Sequence, residues 1–153
     1  MGSRFVYVTY IRTTPEKLWD ALTKPEFTRQ YWGGVHHESD WQVGADWKLM
    51  IPDGRVGDRG KVLEIDRPRK LVVTWENQFV PEMQAEGPSR CTFEITPRDQ
   101  EVVKLTLTHE IDVENSKLIE GVSTGWPELL ASMKSLLETG AAFPGDDKWP
   151  EGH

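Results

Sequence analysis

The sequence predicts an α+β fold, a curved antiparallel sheet covered on one face by helices, and three observations predict it. The segment Lys117 to Gly140 places Leu118, Val122, Trp126, Leu129, Leu130, Met133, Leu136 and Leu137 at three- and four-residue steps, which is one face of a long helix. The stretch Val35 to Val113 instead alternates apolar and polar residues between turn signals, as an antiparallel meander does. A strand-like run and two short helical patterns come before it. The long helix stripe needs a sheet to cover, and a hollow between helix and curved sheet is a natural place for a small molecule.

Phe5 to Ile11, aromatic and β-branched, reads as the first strand. Thr14 then caps a helix, Pro15 suits its first turn because it has no N–H to leave unpaired, and Leu18, Trp19 and Leu22 form its apolar face. Pro25 opens a second short helix whose aromatic face, Phe27, Tyr31 and Trp32, ends at Gly33-Gly34. In the meander, Asp46 to Ile51 and Gly60 to Ile65 flank the turn Pro52-Asp53-Gly54, and Leu71 to Asn77 follows Arg67-Pro68-Arg69. Phe79 to Ser89 carries Pro81, Gly87 and Pro88 and reads as a loop. Arg90 to Thr96 and Val102 to Val113, joined by Pro97-Arg98-Asp99-Gln100, complete five or six strands after the first. One domain over 1–153 is expected, with a core over about 5–140 and a loosely held tail, 141–153, rich in Pro, Gly and Asp.

Composition excludes several classes. A chain of 153 residues with 37% hydrophobic and 28% charged residues is globular, and no apolar run reaches the ~20 residues that cross a bilayer. No signal segment precedes the first strand pattern, so a cytoplasmic protein without membrane insertion is expected. The net charge of −7 disfavours nucleic acid, and the basic run Arg67, Arg69, Lys70 reads as a solvated turn. Cys91, the single cysteine, reads as a small apolar core residue. His36 and His37 point to opposite faces of a strand and do not grip one ion, so no metal and no cofactor is expected. No G-x-S-x-G elbow occurs, and the glycines of Asp53 to Gly60 lack the strand-to-helix context and lysine of a phosphate cradle.

The segments Val6-Tyr7-Val8-Thr9-Tyr10-Ile11-Arg12-Thr13-Thr14-Pro15-Glu16-Lys17-Leu18-Trp19 and Glu38-Ser39-Asp40-Trp41, with Gly125-Trp126-Pro127 opening the last helical stretch, resemble a bacterial START-like (SRPBCC) domain. The closer resemblance, over about Phe5 to Gly140, is to the AHSA-like family named for activators of the heat-shock-protein ATPase. It implies the helix-grip fold shared with plant pollen allergens and polyketide cyclases, in which the sheet wraps the C-terminal helix.

His109 falls on the apolar face of the strand carrying Leu105, Leu107 and Ile111, where it is either a hydrogen-bonded core histidine or a polar anchor on a cavity wall. Trp75, Phe93, Met50, Trp126 and Met133 are either core packing or the lining of an apolar hollow suited to a flat molecule. Tyr31 and Trp32 are either a gate at its opening or a cap on the sheet. Of the seven tryptophans, Trp149 lies in the tail and Trp41 beside turn residues. The carboxylate of Glu76 points away from Trp75, toward solvent.

The leading expectation is a protein that binds a small hydrophobic or aromatic molecule between sheet and C-terminal helix. A cyclase or hydrolase is the alternative, with His109 as general acid or base assisted by Tyr31 or Tyr10. A chaperone-interacting module is the third, as the family resemblance implies. The family's ATPase-stimulating members carry an additional N-terminal domain and nothing precedes the first strand here, which sets a chaperone behind a small molecule as the expected partner. Open edge strands allow a homodimer, without fixing the edge or the partner surface.

Overall fold

In a computed structural model of the protein, which describes residues 2–144, β1 (Ser3–Ile11) runs at one edge of a seven-stranded sheet. Alternation along it is clean: Arg4, Val6, Val8 and Tyr10 are exposed, while the other side chains turn inward. Thr14 caps α1 (Pro15–Thr23) by accepting from the Lys17 N–H at 3.2 Å, with Pro15 at the first helical position. Leu18, Trp19 and Leu22 are buried beneath it. Pro25 opens α2 (Pro25–Tyr31), which ends at Gly33 and Gly34, both with positive φ.

The meander gives β2 (His36–Ser39), β3 (Asp46–Met50), β4 (Val56–Asp66), β5 (Lys70–Asn77), β6 (Ser89–Pro97) and β7 (Val103–Ile111). Every pairing is antiparallel, in the order β1-β7-β6-β5-β4-β3-β2. Register shifts between Leu49 and Met50 and between Val62 and Glu64 bend the sheet. The long helix α4 (Lys117–Thr139) lies across its inner face against β1 and β7, and Gly140 closes it in the left-handed conformation with φ 86°. Inward residues of β5, β6 and β7, the buried faces of α1 and α2, and Trp126, Leu130, Met133 and Leu136 of α4 make one core.

Two local expectations are corrected. Val56 to Arg59, read as part of a glycine-rich turn, is strand: Asp58 pairs with Leu49 on one side and Asn77 on the other. Its glycines mark close approach. A Cβ on Gly57 would meet Leu49 and Ile51 at 3.2 and 3.3 Å, and one on Gly60 would lie 1.9 Å from the Thr74 carbonyl oxygen. The loop from Phe79 contains a four-residue helix, α3 (Pro81–Gln84), because Pro81 fits a first turn. Glu86, just beyond it, accepts from the Ser116 hydroxyl and the Lys117 N–H, both at 2.6 Å, and fastens this loop to the start of α4.

Cys91 is fully buried, and burial pushes its thiol up, as an inert core residue requires. The Arg67 turn is solvent-exposed, but its guanidinium also rests 5.8 Å from the centre of the buried Trp19 ring. No helix among the described residues is long and apolar enough to cross a membrane. The expected loose tail lies, from residue 145 onward, outside the described residues, and Trp149 with it.

Candidate functional site

Tryptophans fill the space between sheet and helix. Trp32, which follows α2, stacks on Trp75 of β5 with ring centres 6.2 Å apart, and Trp126 of α4 meets both edge-on at 5.6 and 5.4 Å. Trp47 of β3 lies against Trp75 at 4.6 Å, over the bare backbone of Gly60, and donates its indole N–H to the Thr74 carbonyl at 2.8 Å. The void left among Leu22, Trp32, His37, Trp41, Trp47, Phe93 and their neighbours is about 20 Å³, room for one water molecule. His37 is buried there with three indoles set nearly perpendicular to its ring, and its Nδ1 has no hydrogen-bond partner among the described residues. Burial, with a smaller contribution from His36, pushes its imidazole down to about 4, against a hydrogen bond to the Leu22 backbone that raises it.

Behind these rings runs a chain of hydrogen bonds with one direction. An indole N–H only donates, so Nδ1 of His109 accepts from Trp126 at 3.1 Å. The ring proton is therefore on Nε2, which donates to Ser89 Oγ at 2.7 Å, and the Ser89 hydroxyl donates to the Trp75 carbonyl at 2.9 Å. Each donor has one acceptor. Burial pushes His109 down to about 4, and a proton added at Nδ1 would face the Trp126 N–H.

An open cleft of about 400 Å³ lies at the other side of the tryptophan cluster. One wall is α4, with Leu118, Gly121, Val122, Gly125, Trp126 and Leu129; the others are Trp32, Met83 of α3, and Asp58, Trp75 and Asn77 on the paired strands β4 and β5. Glycine on α4 keeps it open. A Cβ at Gly121 would already meet the Met83 methyl at 3.0 Å, and one at Gly125 would meet nothing within 4 Å. Among the described residues that line it, Asp58 is the one ionisable group. Burial pushes its carboxyl up to about 7, against hydrogen bonds from the side chains of Trp75 and Asn77, the latter at 3.3 Å. A wider depression of about 630 Å³ near Arg4, Arg90 and Glu110 lies on the exposed outer side of β1, β6 and β7 and is more polar.

Of the residues singled out by sequence, Trp32, Trp75, Phe93, His109 and Trp126 come together. Phe93 meets Trp126 edge-on at 6.0 Å and lines the small void. His109 stands behind the rings and lines neither the void nor the cleft. Tyr31 is buried as a cap, its hydroxyl donating to the Ala21 carbonyl at 2.8 Å, so of this pair Trp32 alone reaches the cleft. Met133 is fully buried in the core two turns beyond Trp126. Met50, half-buried at the end of β3 where the register shifts, lines neither space. Sequence reasoning missed Asp58, Gly121 and Gly125. The usable signal was Gly57 and Gly60 in a strand: once they are strand residues, Asp58 shares the inward face with Gly60 and lies beside Trp75.

The family described as "Activator of Hsp90 ATPase homolog 1-like protein" matches residues 12–138. None of the curated proteins matches the chain. Solved structures with the same fold include protein MLL2253 from Mesorhizobium loti, with 24% identity and a TM-score of 0.74 over 88% of this chain and 96% of that one. An HSP90 activator from Plasmodium falciparum, PFC0360w, shares 24% identity with a TM-score of 0.71 over 88% and 95% of the two chains. The Aha1 dimer from Colwellia psychrerythraea shares 19% identity with a TM-score of 0.72 over 90% and 98%. At these identities the likeness is one of fold.

Proposed function

The chain belongs to the Activator of Hsp90 ATPase homolog 1-like family, and from that membership and the cleft's geometry we propose that it binds a small, flat, largely apolar molecule against α4. The observation that carries this reading is the cleft itself: about 400 Å³ walled by Trp32, Trp75 and Trp126, with glycines where α4 would otherwise fill it. That volume lies within the range of small-molecule sites, roughly 300–1,000 Å³. The ligand lies beside the tryptophan cluster and not within it, since the interior void is about 20 Å³.

The geometry argues against His109 as an acid–base group. Both nitrogens of His109 are engaged and its imidazole is held neutral, so it has neither a free lone pair nor a spare proton for a substrate.

Native mass spectrometry of the purified protein, followed by denaturing extraction, tests the reading, together with melting temperatures across a panel of flat aromatic compounds. A retained or stabilising compound is expected, because a ligand of the folded state must raise its stability. Gly125→Leu, which fills the cleft, should abolish the shift while the fold persists. A panel that leaves the wild type unshifted, or shifts Gly125→Leu equally, overturns it.

A chaperone-binding reading is favoured by a different surface. Val6, Val8 and Tyr10 form an exposed apolar row on edge strand β1, 51%, 45% and 46% accessible. Stimulation of a chaperone ATPase that is lost in Val8→Asp would support it; no stimulation at saturating protein would remove it.

A further inference from the structure

Among the described residues, Asp58 has no counter-ion. Its carboxyl lies on the inner face of β4 at the base of the cleft, and what reaches it is two neutral donors, the indole N–H of Trp75 and the side-chain amide of Asn77. A carboxylate offers about four acceptor positions, so two are left. No lysine, arginine or histidine pairs with it or acts on it electrostatically among the described residues. Its surroundings add no other charge. Leu49 pairs with it from β3, Met83 approaches from α3, α4 contributes Leu118, Val122, Trp126 and Leu129, and Trp32 closes the side. The nearest charged residues along the strands, Arg59 and Glu76, lie opposite each other in the register of β4 and β5 and on the other face of the sheet.

Resting on the proposed ligand cleft, we propose that its ligand is a cation: a flat apolar body carrying a protonated amine, with Asp58 as counter-ion and the tryptophan rings around it. Three features match that chemistry. A half-buried carboxylate with only neutral donors gains from a positive partner, since part of the cost of taking it from water is already met in the fold. Trp32, Trp75 and Trp126 supply indole faces and edges, the best aromatic surface for an organic cation. The chain's net charge of −7 also favours a cationic ligand over an anionic one. Fatty acids and aromatic acids, by contrast, would bring a second negative charge to a cleft with no cation among its described lining residues.

Three probes of one shape separate the possibilities: naphthylethylammonium, naphthylethanol and naphthylpropionate, titrated calorimetrically into the wild-type protein, Asp58→Asn and Gly125→Leu. At about pH 8, where Asp58 is ionised, the ammonium is expected to bind at least about tenfold more tightly than the alcohol, with the acid weakest. In Asp58→Asn the ammonium should fall to the affinity of the alcohol. The same loss should follow in the wild type at about pH 5.5, as Asp58 takes up a proton, which tests the inference without any substitution. Equal binding of ammonium and alcohol at pH 8, or a preference that survives in Asp58→Asn, overturns the cationic ligand and leaves the cleft reading standing. Absence of all three from the wild type, or equal binding to Gly125→Leu, overturns both.

Discussion

Trp126 donates its indole N–H to Nδ1 of His109 across 3.1 Å, and that single bond decides which form of the imidazole the fold contains. With Nδ1 committed as an acceptor, His109 carries its proton on Nε2 and is neutral. Nitrogen chemical shifts of the histidine ring should report the Nε2–H tautomer. Ser89→Ala removes the acceptor of that proton and leaves a buried donor unpaired, at a cost of about 1–3 kcal/mol in chemical denaturation. A loss below about 0.5 kcal/mol would show that the chain does not stabilise the fold.

The pH dependence of stability follows from three displaced titrations. Asp58 is raised to about 7, whereas His37 and His109 are lowered to about 4. At about pH 5–6 the unfolded chain holds both imidazoles protonated and Asp58 ionised, and the folded chain holds the reverse. Folding then releases two protons and takes up one, so stability rises with pH by about 1.4 kcal/mol per unit from these groups. The histidine contributions are complete above 6.5 and lost toward 4; that of Asp58 is complete below 3.8 and lost as pH rises through 7. Asp58→Asn should therefore double the slope at about pH 5–6 and raise stability at about pH 8. An unchanged slope in denaturation series across this range would contradict the assignment.

Gly60 is a packing requirement of the tryptophan cluster. In Gly60→Ala the new methyl would lie 1.9 Å from the Thr74 carbonyl oxygen and 2.7 Å from Trp47 Nε1, two atoms that are hydrogen-bonded to each other. The expected loss is about 3 kcal/mol, with a red shift of tryptophan emission as Trp47 leaves its place. A variant within 1 kcal/mol of wild type would mean that the strands yield locally.

Glu86 holds the rim of the cleft. Its carboxylate caps α4 from the loop after α3, and although burial raises its pKa, the Ser116 hydroxyl and the Lys117 and Leu118 amides outweigh that and hold it below the usual range. Glu86→Gln should cost about 1 kcal/mol at neutral pH. Because the folded value is depressed, the stabilisation is present above the ordinary carboxylate range and fades as pH falls through the folded value. The difference between variant and wild type should close in acid, as melting curves at stepped pH would show.

The elements were legible because they rest on local physics. Thr14-Pro15, Pro25, Gly33-Gly34 and Gly140 act on their own backbone, and the stripe of α4 and the alternation of β7 repeat at the period of one element. The same alternation placed His109 inward without revealing what lies on either side of it. Its partners, Ser89 and Trp126, are 20 and 17 residues away along the chain and come from two other elements.

By itself, then, the sequence determined the order of the elements, the inward faces and the family resemblance, since each is written in short-range spacing. Only the tertiary structure decided that four tryptophans would close the interior to about 20 Å³ and displace the open space to the side of α4. It also decided that the polar group there would be Asp58 rather than His109. Side-chain volume competes for space among residues far apart in the chain, and the close approach of strands that turns Gly57 and Gly60 from turn signals into packing gaps exists only once β3, β4 and β5 are paired.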